Sequence, residues 1–165
     1  MKHLILLFLG LSLVMPVMGQ KNIDQIFRKY KNDEGVVNMN LTGEVLKMFA
    51  GSKDEIKSTV ESVDVLIFKN NEDISAEDKS KIESVLNRDK FDLLVDVRDK
   101  GQNVKMFAVE SGKYLNKIYA NVNSAEMNAY FILSGNIIFE ELAKMGMDFE
   151  KGDPLKVINK SRGKN

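Results

Sequence analysis

Cysteine and tryptophan are absent from this chain, and histidine occurs once. Without cysteine there is no disulfide, no thiol nucleophile and no zinc–thiolate site. The histidine is His3, inside an N-terminal stretch that reads as a leader. Removal of that leader leaves no imidazole, which excludes Ser-His-Asp catalysis, imidazole metal ligation and a histidine pH switch. An excess of charge is missing too: 24 basic residues face 24 acidic ones. So balanced a chain offers no electrostatic footprint for nucleic acid.

The leader is read from its order. Met1-Lys2-His3 is a basic start, Leu4 to Met15 an apolar core, Pro16 a break, and Val17-Met18-Gly19 a set of small or modest residues before Gln20. That is the layout of an export signal peptide over residues 1–19. Its apolar core of 12 residues is short beside the roughly 20 that span a bilayer, and no cysteine follows for lipid attachment. Cleavage after Gly19 takes Lys2 away and leaves 146 residues, with 23 basic against 24 acidic. Residues 20–159 then suit one domain, followed by a flexible basic tail over 160–165.

Phe91 to Ser134 carries the plan of that domain. Four β runs, Phe91–Arg98, Val104–Glu110, Tyr114–Val122 and Asn128–Leu133, are separated by turn-forming clusters at Asp99–Asn103, Ser111–Lys113 and Asn123–Glu126. In the first run Phe91, Leu93, Val95 and Val97 alternate with Asp92, Leu94, Asp96 and Arg98, as one buried and one wet face require. Upstream, Val36–Leu41 and the apolar Val63–Phe68 add two strands. Helices are expected at 22–32, with Asn22 as cap and Ile23, Ile26, Phe27 and Tyr30 inward, at 42–50, and at 75–88, where Ser75 and Asp78 suggest a capping box. A last helix is expected over Ile137–Met145 after Ser134-Gly135-Asn136, and Ser52–Ser62 is expected as a surface loop. The fold class is α+β: a mainly antiparallel sheet with a four-strand C-terminal meander and helices packed on one face.

Phe27-Arg28-Lys29-Tyr30, Glu34-Gly35-Val36, Val65-Leu66-Ile67-Phe68 and Leu133-Ser134-Gly135-Asn136-Ile137, set around the charged meander, resemble the bacterial family DUF4252 (domain of unknown function 4252) of Bacteroidota exported proteins. The resemblance covers nearly all of the chain after the leader and implies a periplasmic or envelope protein of a Gram-negative bacterium. It brings no catalytic residues.

Candidate sites are weighed against plainer roles. Asp92, Asp96 and Asp99, with Asp64 and Glu110, invite a hard-cation reading. On one strand face, however, Asp92 and Asp96 stand about 13 Å apart, so a solvated face is the better account. Glu126, Glu140, Glu141 and Glu150 invite a two-carboxylate glycosidase, without the tryptophans that sugar clefts often use. Ser134-Gly135-Asn136 matches no phosphate-binding fingerprint and reads as a cap. Met39, Met48, Met106, Met127, Met145 and Met147 read as core rather than as a pliable partner groove. The expectation is therefore no catalytic, metal or cofactor-binding residue. The protein is expected to be exported and non-enzymatic, binding an envelope protein or peptide. The alternative is a small-ligand or lipid carrier with a pocket between helices and sheet; a carboxylate hydrolase ranks below both.

Overall fold

A computed structural model describes residues 22–44, 58–70, 72–99 and 101–142. Its elements are α1 (Ile23–Lys29), β1 (Val36–Thr42), β2 (Thr59–Lys69), α2 (Ala76–Arg88), β3 (Asp92–Asp99), β4 (Gln102–Ser111), β5 (Tyr114–Asn123) and β6 (Met127–Ile137), then a 3-10 turn at Phe139–Glu141. The strands form one six-stranded sheet in the order β1-β2-β6-β5-β4-β3. Every neighbouring pair is antiparallel. The fold is α+β, and β3 to β6 are the expected meander. The β1–β2 hairpin docks its second strand against β6, so the chain must cross from β2 to β3 at the far edge, and α2 lies in that crossover.

Alternation along the strands divides the apolar residues into two clusters. Val63, Val65, Ile67, Val104, Met106, Ala108, Ile118, Ala120, Val122, Phe131 and Leu133 belong to one. Leu66, Phe68, Tyr119, Tyr130 and Ile132 belong to the other, together with Ile23, Ile26 and Phe27 of α1 and Ile82, Val85 and Leu86 of α2. Both helices start where side-chain caps allow. Asn22 Oδ1 accepts from Gln25 N at 2.8 Å, and Ser75 Oγ accepts from Asp78 N at 3.2 Å. The expected capping box is only half formed. The backbone N–H of Ser75 donates to the Tyr30 hydroxyl, and the Asp78 carboxylate turns instead to Lys29 and Tyr30, at 2.6 and 2.8 Å. That carboxylate thereby ties α1 to α2.

Several sequence expectations need correction. The expected helix over Ile137–Met145 is absent as such: β6 runs through Ser134-Gly135-Asn136 to Ile137, and only the short 3-10 turn follows before residue 142. Gly135 is a packing glycine rather than a turn glycine. With φ +148°, a Cβ there would lie 2.1 Å from Thr59 O, beside the register shift between Val60 and Ser62 of β2. From the other flank, a Cβ on Gly43 would meet Val60 O at 1.8 Å. The bulged backbone of β2 thus needs a glycine on both sides.

Thr59 to Ser62 are strand rather than the end of a loop. In β3, a bulge at Leu94 breaks the expected alternation. Leu93 becomes 52% exposed, and Leu94 packs toward the core beside Val95 and Val97. The same bulge sets Asp92 opposite Ala108 and Asp96 opposite Lys105, so these two aspartates do not share a face. The leader, residues 45–50 of the helix expected over 42–50, the start of the Ser52–Ser62 loop, the end of the final helix and the tail lie outside the described residues, and Thr42 closes β1.

Candidate functional site

The crossover of α2 creates the feature with chemical content. Beside β2 and β6, the cluster that includes both helices is closed by edge-to-face aromatic pairs, Phe27–Tyr130 and Phe68–Tyr130, with ring centroids 6.3 and 5.9 Å apart. Farther along the sheet, between α2 and β4–β5, the strand residues become polar and a cleft of about 240 Å³ remains. Lys79, Ile82, Glu83 and Leu86 of α2 form one wall. Asn103, Lys105, Phe107, Tyr119, Asn121, Asn123 and Tyr130 form the other.

Antiparallel register makes this second wall from distant residues. Asn103 stands opposite Asn123, Lys105 opposite Asn121, and Phe107 opposite Tyr119. Tyr130 of β6 stands opposite Asn121. A chain of amides crosses the floor: Asn121 Nδ2 donates to Asn123 Oδ1 at 2.6 Å, Asn123 Nδ2 to Asn128 Oδ1 at 2.7 Å, and Asn128 Nδ2 to the Glu72 carbonyl at 2.8 Å. One end of the cleft is latched by Asp73. Its carboxylate accepts from the Tyr130 hydroxyl and from Ile74 N, and pairs with Lys79.

Against this connected floor, two groups stand without a partner. Asn103 Oδ1 is shielded from solvent and accepts no hydrogen bond. The Tyr119 hydroxyl, on a residue only 6% exposed, has no hydrogen-bond partner among the described residues. A buried acceptor left unmatched, as Asn103 Oδ1 is, costs about 1–3 kcal/mol, whereas the Tyr119 hydroxyl lines the cleft. Burial, reinforced by Asp73 and Glu83, pushes the Tyr119 phenol well above its ordinary value. Burial and the bond to Asp73 do the same to Tyr130. Both phenols stay protonated at neutral pH and can hydrogen-bond, but neither is poised to take up a proton.

The residues singled out from sequence fall elsewhere. Asp64 accepts from Asn40 at 2.9 Å, and Asp96 lies 3.9 Å from Arg98 and 4.0 Å from Lys105. No group of three or more metal-capable side chains occurs among the described residues. Glu141 is buried and accepts from both the backbone N–H and the hydroxyl of Ser58, at 2.7 and 2.6 Å, a structural tie beneath the 3-10 turn. Glu126 and Glu140 are exposed, and Glu150 lies outside the described residues. Met106 is core, with Met39 and Met127 packed against the same cluster. Sequence reasoning passed over the cleft residues. The available signal was the series Tyr119, Asn121, Asn123, polar at every second position on a strand whose other face is Ile118, Ala120 and Val122.

Sheet order, crossover helix and polar cleft together define a small α+β protein with a hydrogen-bonding cleft beside its sheet. The chain belongs to the DUF4252 family: the model of that family, a domain of unknown function, matches residues 30–145. No curated protein and no solved structure matches it. Among the described residues no helix is long and apolar enough to cross a membrane.

Proposed function

We propose that this is an exported, non-enzymatic envelope protein of a Bacteroidota bacterium that works by binding, with the α2–sheet cleft as its recognition site. Residues 1–19 serve as the signal peptide, and the domain acts in the periplasm or at the cell envelope. The helices share one face of the sheet in this reading, as the common cluster of α1, α2, Leu66, Tyr119 and Tyr130 supports.

One observation carries the binding reading: the Tyr119 hydroxyl lines the cleft with no hydrogen-bond partner among the described residues, beside a bank of amides. Such groups recognise; they do not move protons at neutral pH. A two-carboxylate hydrolase finds little support, because Glu83 is the carboxylate among the lining residues and that mechanism needs a pair. The polar lining and modest volume also favour a small polar ligand over a lipid.

Native mass spectrometry tests this reading. Purified protein is exposed to a small-molecule extract of the cell envelope, then transferred to fresh buffer. Retention of an unaltered small molecule, reduced by Tyr119→Phe or Asn121→Ala, is the expected result. Steady conversion of a compound, abolished when one carboxylate is neutralised, refutes it. Export is tested separately by the N-terminus of the protein recovered from periplasm, expected at Gln20.

A further inference from the structure

We infer that the cleft accepts a neutral, polyhydroxylated ligand the size of a single sugar ring, such as the terminal unit of a glycan. The inference rests on the binding reading above and adds the class of ligand.

Size comes first. The cleft holds about 240 Å³. It falls below the ~300–1,000 Å³ typical of drug-sized ligands. Charge comes next. Lys79 is committed to Asp73. Lys105 lies 4.0 Å from Asp96, and Glu83 adds a negative charge to the same walls. An anion would meet partly neutralised lysines and a carboxylate, whereas a neutral ligand meets no such conflict. A lipid tail would meet Asn103, Asn121 and Asn123, whose amides do not gain from contact with hydrocarbon.

The remaining chemistry fits hydroxyl groups. A sugar hydroxyl both donates and accepts, so one ring can serve the Tyr119 phenol, the asparagine amides and the Glu83 carboxylate together. The C–H face of a sugar ring also needs a flat apolar surface. Half-buried Phe107, its ring inclined at 42° to that of Tyr119 with centroids 6.2 Å apart, offers part of one. Phe107 and Tyr119 stand opposite one another and Lys105 and Asn121 form the next pair along the same face, so one small ring can reach both pairs, whereas Asn103 and Asn123 lie about 13 Å along the strands from the aromatic pair.

The test is an NMR titration of the purified full chain with ¹⁵N-labelled asparagine side chains. The probes are glucose, galactose, mannose and N-acetylglucosamine, with galacturonate as the anionic comparator and octanoate as the apolar one. Saturable shifts of the Asn103, Asn121 and Asn123 amide signals are expected from at least one neutral sugar. Tyr119→Phe should weaken that binding about five- to tenfold, as loss of one hydrogen bond does, while the free variant keeps the wild-type fold. Shifts from galacturonate or octanoate alone overturn the sugar assignment and leave the cleft as a binding site. Silence from every probe also overturns it, while the binding reading stays exposed to its own retention assay. Asn121→Ala is the second variant: if Tyr119→Phe fails to fold, weaker sugar binding by Asn121→Ala supports the assignment and unchanged binding overturns it.

Discussion

Strands β4 and β5 show the same backbone two unlike faces. On one, Val104, Met106, Ala108, Ile118, Ala120 and Val122 are all buried and apolar. On the other, Asn103, Lys105, Phe107, Tyr119, Asn121 and Asn123 line the cleft. Hydrophobic burial explains the first face completely. On the second it accounts for Tyr119 and Phe107, which pack with the α1–α2 cluster, but not for Asn103, Lys105, Asn121 and Asn123. The contrast separates residues kept for folding from residues whose presence needs another reason.

The contrast can be broken most forcefully on the apolar side. Ile118 is fully buried, and Ile118→Ala should cost about 2–5 kcal/mol in urea unfolding. A cost below 1 kcal/mol would mean that this face is not the core. Gly135→Ala comes next. The added methyl has no room beside Thr59 O, and a loss of about 1–3 kcal/mol is expected; unchanged stability would show that the β2 bulge can shift.

Asp78 gives a pH signature. Burial raises its pKa, but hydrogen bonds from Lys29, Tyr30 and Lys81 outweigh that and hold it at about 2, against 3.8 for a free aspartate. A depressed folded-state value means that the stabilisation is complete above pH 3.8 and is lost as pH falls through about 2. Allowing for solvent screening, about 1–2 kcal/mol should disappear in that window, measured by acid titration of the unfolding free energy, and Asp78→Asn should flatten the loss. The smallest change is expected in the cleft. On the proposed recognition role, Asn121→Ala should shift stability by no more than about 0.5 kcal/mol; a larger loss would show that its bond to Asn123 holds the fold.

Much of the fold was legible from sequence because its signals are local. Asn22 and Ser75 are caps within one turn of the residues they serve, and the meander is bounded by turn clusters at Gly101 and Gly112. The bulges were not legible. Leu94 and Glu61 are the extra residues at shifts in the register of partner strands, so alternation alone misassigned Leu93 and Asp92. Gly135 looked like a turn residue because its need for space comes from Thr59, far away in the chain. The cleft was the least legible part. Each asparagine reads singly as a wet strand position, and only the crossing of α2 over three strands encloses them.

The most direct measurement is the urea unfolding free energy of the double variant Tyr119→Phe/Asn103→Ala beside that of Ile118→Ala. Selection for recognition predicts that the double variant unfolds at the wild-type midpoint or above it, since a buried unmatched acceptor is gone and the lost hydroxyl has no partner among the described residues. A fall as large as that of Ile118→Ala would contradict the account and make the polar wall part of what holds the fold together.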